Sequence, residues 1–324
     1  MNIQPKPIAM RDALIGRIWE AMEEDKKIFF VCADFGSPVL DKIRENYPDR
    51  FVNVGIAEQN LINISAGLAL EGFTVFAYAI APFITMRCYE QTRVSLALLS
   101  EVRPMNVNLI GVGAGYSYVV SGPTHQCYED ITLMRAMPNV RVLSPADHIT
   151  AAAMFDVCIG TMGPKYLRLD AQLLPVVYEG EGHHMELGYY CHSSSGCVCI
   201  VATGYMLHTA LDVASHLNKE GVQVAVIDLF DLTRFDPGAL KKELRQFKHV
   251  VSLEEGFSGR GGLDALLFDL LADVCPRPTI SNIGVKGGYR FELGSRQELH
   301  EQVGIGRNVV LERVRGIALS IVCH

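Results

Sequence analysis

Apolar residues recur along this chain in two alternating rhythms. Over residues 11–25 they fall at Leu14, Ile15, Ile18, Trp19 and Met22, the spacing of a helix with one buried face. Over 28–33 they run without interruption, which suits a strand covered on both sides. A break at Tyr47-Pro48-Asp49 leads into a second apolar strand over 51–54, and Gly55 turns it into a helix that runs to Gly72. The pattern then predicts a strand over 74–79, a helix over about 85–100, a strand over 105–112, a helix after Gln126, and strands over 140–143 and 165–169. Helix and strand alternate throughout, and the strands are apolar on both faces. The expected architecture is a parallel, doubly wound sheet.

The alternation stops after the strand over 165–169, and residues 178–196 are rich in Gly, Glu, His and Ser. A second, smaller series starts at 197, with strands expected over 197–202, 222–229, 249–253 and 279–283. Helices are expected over 206–220, 237–247 and 263–274 and near Arg296 and Val309. The chain therefore reads as two doubly wound α/β domains, residues 1–190 and 191–324, without short repeats or low-complexity tracts.

Composition narrows the class of ligand. The 324 residues are 49% hydrophobic and 20% charged, as expected of a folded protein with a large core. A net charge of -7 gives no reason to expect nucleic acid or an anionic membrane as partner, so small metabolites are the default. No secretory leader pattern and no apolar run of membrane-spanning length is seen. The nine cysteines include no Cys-x-x-Cys, and Cys32, Cys197 and Cys199 lie in apolar runs, so reduced thiols in a cytoplasmic protein are expected.

Glu58 is the residue that needs explaining. An acidic side chain at a helix N-terminus often does no more than complement the dipole. Here, though, Leu61, Ile62, Ile64, Ala66, Leu68 and Ala69 leave the helix almost no solvated face and send its first turn inward. A buried carboxyl must be hydrogen-bonded or protonated. The stretch Val54-Gly55-Ile56-Ala57-Glu58-Gln59, followed by Ser65-Ala66-Gly67-Leu68-Ala69 and Gly72, resembles the pyrimidine-binding domain of the thiamine diphosphate enzymes of the transketolase group. Other blocks recur in that family's order: Ala33-Asp34, residues 83–89, Gly122-Pro123-Thr124-His125-Gln126, and Pro138-Asn139 leading to Ser144-Pro145-Ala146-Asp147. The resemblance covers most of the chain, more loosely after about Gly196.

The resemblance implies a thiamine diphosphate-binding (pyrimidine) fold followed by a domain like the transketolase C-terminal domain, and it implies roles. Glu58 would hydrogen-bond a ring nitrogen of the cofactor's aminopyrimidine and so help to activate its thiazolium carbon. Phe83, Met86 and Tyr89, at i, i+3 and i+6, would form the wall on which that ring stacks, although spacing alone reads as core packing. Asp34 would be a further cofactor-binding residue. His125 would act on the substrate's oxygens, with Ser121, Gln126 and Arg168 as further substrate-binding positions. Three departures stand out: Met86 where an aromatic is common, Ser121 where an Asp is usual, and Ala171 where an Arg tends to hold the substrate's phosphate.

Two other patterns are weaker than they look. Gly111-Val112-Gly113-Ala114-Gly115 follows a strand, but no helix opens after it, so it is not a dinucleotide fingerprint. His183, His184, Glu186 and His192 are metal-ligand types, but adjacent histidines in a polar linker rarely converge on one ion, and no metal site is expected.

The family holds the diphosphate through Mg²⁺ with a Gly-Asp-Gly segment and a later Asn, and this chain has no Gly-Asp-Gly. The resemblance thus implies the small subunit of a split transketolase. Its partner would be a larger N-terminal subunit that carries Gly-Asp-Gly and holds most of the Mg²⁺ contacts, in a two-plus-two heterotetramer. The implied reaction moves a two-carbon ketol unit from a ketose donor to an aldehyde acceptor. The alternatives are the beta subunit of a 2-oxo-acid dehydrogenase's decarboxylating component, an enzyme like 1-deoxyxylulose 5-phosphate synthase, and a non-catalytic scaffolding subunit. Gly-Pro-Thr-His-Gln argues against the first, and Glu58 together with His125 argues against the last.

Overall fold

In the computed structural model, which describes residues 6–178 and 185–322, the first half of the chain builds a six-stranded parallel sheet. Its strands are β1 (Ile28–Cys32), β2 (Phe51–Asn53), β3 (Thr74–Ile80), β4 (Asn106–Val112), β5 (Arg141–Leu143) and β6 (Gly163–Leu169), in the order β2-β1-β3-β4-β6-β5. Successive side chains point to opposite faces and feed two cores. Phe30, Phe76 and Tyr78 pack with helices α1 (Met10–Glu24) and α2 (Pro38–Asn46). Val31, Val75 and Ala77 pack under α3 (Glu58–Leu70). The helix expected over 85–100 is a short α4 (Tyr89–Gln91) flanked by π-helical turns at Phe83–Arg87 and Thr92–Leu98. The next helices are α5 (Asp130–Arg135) and α6 (His148–Gly160). Buried Asp147 caps α6 by accepting from the Thr150 N–H at 2.9 Å, and its other oxygen accepts from the Val177 and Tyr178 N–H groups.

A second sheet follows, with β7 (Tyr189–Ser193), β8 (Val198–Ala202), β9 (Val224–Leu229), β10 (His249–Phe257) and β11 (Thr279–Val285) in the order β11-β10-β8-β9-β7. Only β7 runs antiparallel to its neighbour. Its helices are α7 (Met206–Lys219), α8 (Pro237–Leu244), α9 (Leu263–Leu270), α10 (Arg296–Val303) and α11 (Arg307–Val322). Strand β7 is absent from the sequence reading, and the division expected at residue 190 falls inside it. It is a half-buried edge strand carrying Cys, His and Ser, so it lacks the apolar run that marks its neighbours. His183 and His184 lie outside the described residues, and no cluster of potential metal ligands occurs among the described ones. Among these, Cys32 and Cys199 are buried free thiols as expected, whereas Cys197 is exposed. No described helix is long and apolar enough to cross a membrane.

Between the two sheets lies a chain of buried charges. Arg168 Nε donates to Asp130 Oδ2 at 2.8 Å, and its Nη2 donates to the Glu255 carbonyl at 3.0 Å. Arg296 grips Glu255 with two bonds, at 3.0 and 2.6 Å, and reaches Asp170 at 2.6 Å. His300 Nε2 lies 2.5 Å from Glu255 Oε1. Burial by itself would raise the Glu255 carboxyl, but Arg296 and His300 outweigh it and hold it well below the ordinary value. Arg168, expected among the substrate-binding residues, is thus placed at the junction of the two sheets. Its guanidinium is 2% exposed and spent on holding the two sheets together.

A second buried acid sits on β9. Asp228 accepts from the Tyr178 hydroxyl at 2.6 Å. Burial pushes its carboxyl from 3.8 up to about 8, against the opposing pull of that hydrogen bond. Between these two values the folded chain holds a proton that the unfolded chain releases, so this contribution to stability is complete below about pH 4 and fades as pH rises toward 8. Asp228→Asn is expected to gain stability relative to the parent chain between about pH 5 and about pH 8.5. Urea midpoints of both proteins at the two pH values measure it, and a difference that does not change with pH refutes it.

Candidate functional site

In a parallel sheet every strand ends at the same edge, and the turns that leave that edge meet in space. Asp34 follows β1 with φ +45°, a conformation that side-chain-bearing residues seldom adopt. Its N–H donates to Asn53 Oδ1 at 3.1 Å, and Asn53 Nδ2 returns a bond to the Asp34 carboxylate at 3.2 Å. The same Asn53 oxygen takes the Gly55 N–H at 2.9 Å. One amide thus ties the turn after β1 to the turn after β2. Gly55, at φ +72°, makes the reversal that aims the first turn of α3 inward.

Glu58 opens α3 with its side chain 2% exposed, as the sequence predicts. Its surroundings differ from the expectation. Arg87, half-exposed on the π-helical turn after β3, donates to Glu58 Oε2 at 2.8 Å, so the carboxylate has a cationic partner rather than an apolar pocket alone. The helix also has a solvated face, formed by Gln59, Asn60, Asn63 and Gly67. The amphipathic pattern is faint because these exposed positions hold small or uncharged side chains.

The Arg87 guanidinium lies over the Phe83 ring, 4.3 Å from its centroid. Phe83 also meets the His125 ring edge-on at 5.2 Å, and Tyr118 meets His125 at 6.3 Å. The Thr124 hydroxyl is 3.0 Å from His125 Nδ1. Glu58, Arg87, Phe83, His125 and Tyr118 therefore form one chain of contacts. Met86 is exposed beside it. Tyr89 turns away, since the wider π-helical turn changes its direction, and its hydroxyl donates to the Leu133 carbonyl at 3.2 Å. Ser121 is exposed on the His125 loop, and Gln126 is buried and accepts from the Tyr128 hydroxyl. Arg87 and Tyr118 are the members that sequence reasoning missed. An arginine between Met86 and Cys88 in an otherwise apolar run was the available signal for the first, and nothing marked the second.

Chemically, this edge offers a buried carboxyl beside an aromatic face, which suits a flat nitrogen heterocycle, and an imidazole a short step away that can exchange protons with oxygens. Residues 6–177 match the family model described as transketolase, pyrimidine binding domain, and residues 192–310 match transketolase, C-terminal domain. The chain is 28% identical to an apulose-4-phosphate transketolase subunit of Actinobacillus succinogenes, over 96% of this chain and 98% of that one. It is 31% identical to the apulose-4-phosphate transketolase subunit of the same designation in Phocaeicola vulgatus, over 82% and 84%. Among solved structures, a split-gene transketolase described as an inactive beta4 tetramer superposes with a TM-score of 0.83 at 30% identity, covering 97% of this chain and 99% of that one.

The Glu58–Arg87 pair can be weighed on the chain alone. Arg87→Met leaves a buried carboxylate without its partner and is expected to lower stability by about 1–3 kcal/mol. Because the two side chains are in contact, Glu58→Gln with Arg87→Met is expected to cost less than the two single changes added together. Urea unfolding of the four proteins gives the coupling, and strict additivity rejects a working pair.

Proposed function

The chain belongs to the transketolase family, carrying its pyrimidine-binding and C-terminal domains, and we propose that it is the small subunit of a split transketolase whose site is completed by a larger chain. The observation that carries this reading is the buried Glu58 carboxyl at the start of α3, with the Phe83 ring and His125 within one chain of contacts. The reaction is transfer of a two-carbon ketol unit from a ketose to an aldehyde. Gly122-Pro123-Thr124-His125-Gln126 favours this over a 2-oxo-acid dehydrogenase subunit.

The residues fit one half of thiamine diphosphate. Glu58 would bond the aminopyrimidine, and Phe83 and Met86 would face it, with Asp34 at the rim. The cofactor, when bound, supplies the nucleophilic carbon and the electron sink for carbon–carbon cleavage. Glu58 holds a proton at the ring nitrogen, for which Arg87 must give way. His125 handles protons at the sugar oxygens. The diphosphate and its Mg²⁺ need a set of oxygen ligands that Gly-Asp-Gly supplies in this family and that this sequence lacks, so the larger chain is assigned that end. The exposed face of α3 and the exposed Met86, Val94 and Leu98 are available to that chain in a two-plus-two assembly. The relative described as an inactive beta4 tetramer supports the need for a partner.

Two outcomes test the reading. Glu58→Gln, in the complex with the larger subunit, is expected to fold normally and lower turnover by about a hundredfold or more, because it removes an acid worth ~10² to 10⁴ in rate. Near-normal turnover returns Glu58 to a purely structural role. The second outcome concerns the acceptor. Ser121 stands where an Asp is usual, Ala171 replaces the usual Arg, and Arg168 is occupied by Asp130. The acceptor is accordingly assigned to modified or unphosphorylated aldehydes rather than ordinary pentose phosphates, since a bidentate phosphate contact is missing. Comparing kcat/KM across an acceptor panel with one ketose donor decides it. Superiority of ribose 5-phosphate or erythrose 4-phosphate would place the phosphate on the partner chain or on Arg87.

A further inference from the structure

The loop that carries Ser121 and His125 is closed at its base and gripped from outside its own sheet. Gly115 and Cys127 exchange two backbone hydrogen bonds, at 2.8 and 2.9 Å, so residues 116–126 form a compact loop with adjoining ends. The His125 ring touches Phe83, Tyr118 and its neighbour Thr124, and its position otherwise follows the loop's backbone.

Both feet of the loop rest on the second domain. At the first, the Tyr116 N–H donates to Glu255 Oε1 at 3.0 Å, and the Tyr116 ring meets His300 edge-on at 5.6 Å. At the second, the Tyr128 ring meets Phe257 at 5.2 Å, and the Tyr289 hydroxyl donates to Glu129 at 2.8 Å. Gly115 has φ +56°, and a Cβ there would lie 1.9 Å from Glu255 Oε2. Glycine is needed at that position both for the turn and for the carboxylate to close on it.

A second tether ends on the same loop. Arg296, which fixes Glu255, also binds Asp170 at 2.6 Å, and Asp170 Oδ1 accepts the Gln172 N–H at 2.8 Å. The Gln172 amide then donates to the Ser117 carbonyl at 3.1 Å. One buried guanidinium thus anchors two carboxylates, of which Glu255 bonds Tyr116 directly and Asp170 reaches Ser117 through Gln172. A carboxylate held by a two-pronged guanidinium keeps one orientation, which gives the Tyr116 N–H a fixed point of reference.

We propose that Glu255 is a positioning residue for His125: the second domain, through Glu255 held by Arg296 and His300, clamps the loop that presents the imidazole to substrate. The inference rests on the role proposed above for His125. It gives the second domain a part in the reaction through the backbone of the loop it holds.

The test uses the full chain bearing Glu255→Gln and, separately, Gln172→Leu, with hydrogen–deuterium exchange followed by peptide. Exchange across residues 118–126 is expected to rise about tenfold or more in both, with α3 unchanged. In the complex with the larger subunit, kcat/KM for glycolaldehyde, with hydroxypyruvate as donor, is expected to fall about tenfold while the Kd for thiamine diphosphate stays the same. A generally loosened fold would move both. Glu255→Gln breaks a buried ion pair and is capable of unfolding the chain, in which case His300→Gln, which removes one of the two groups holding Glu255, decides its role and Gln172→Leu decides the second tether. Unchanged loop exchange in a folded variant, or faster exchange with unchanged kcat/KM, overturns the proposal. Absence of activity with every acceptor defeats the transketolase reading instead, and loop exchange still decides the clamp.

Discussion

Two guanidinium groups shut away from water govern how this molecule is assembled. Arg168 and Arg296 are each about as buried as a core leucine, and a buried charge without partners is far costlier than the hydrogen bonds it could make in solvent. Their partners come from both halves of the chain: Asp130 and Asp170 from the first, and Glu255, through both its carboxylate and its carbonyl, from the second. The two sheets must therefore meet in one arrangement for either arginine to be satisfied. Apolar contact between two domains tolerates sliding, whereas a set of directional ion pairs does not.

That arrangement reaches the chemistry through the loop after β4. Its glycines admit the backbone to positions where any side chain would collide, Gly113 against Tyr118 and Gly115 against Glu255. The loop is thereby pressed between the edge of the first sheet and the second domain, with the imidazole at its end beside Phe83. Glu58 is placed by a different device, a sharp glycine turn and a helix start. The acid and the imidazole of the site are thus carried by different backbone segments, which meet through Arg87 and Phe83. This separation is suited to an enzyme in which one group serves a cofactor and the other a substrate.

The Arg87 side chain adds a further constraint. It lies on Phe83 and bonds Glu58, so one planar cation meets both the aromatic ring and the buried carboxylate. A site that must release an internal partner before binding its ligand has a lower apparent affinity than an open one, by the fraction of time the partner is in place. The exposed α3 face and Met86 lie beside it, so a second chain docking there would act close to this pair.

Much of this was legible in the residues themselves. Continuous apolar strands alternating with amphipathic helices dictate a parallel sheet, because only burial on both faces explains strands without a polar side. The burial of Glu58 was readable for a similar reason, because the apolar residues that follow it turn the start of the helix inward. The ends of strands were readable through Gly55 and the Gly122-Pro123 turn. Tertiary structure decided the rest, since these contacts join residues that no local period connects. Arg168 lay on a strand where alternation allowed it to reach a site, and only the position of Asp130 and the Glu255 carbonyl sent it to the domain junction instead. Tyr89 continued the three-residue series of Phe83 and Met86 in the sequence, and in the structure, beyond a π-helical turn, its hydroxyl bonds the Leu133 carbonyl. Strand β7 carried no pattern of its own, because an edge strand is specified by the neighbour it pairs with. Arg87 and Glu58 are 29 positions apart, and Glu255 and Tyr116 are 139 apart. Local sequence determines which residues must be buried, but whether a buried charge finds its partner depends on how the whole chain folds back on itself.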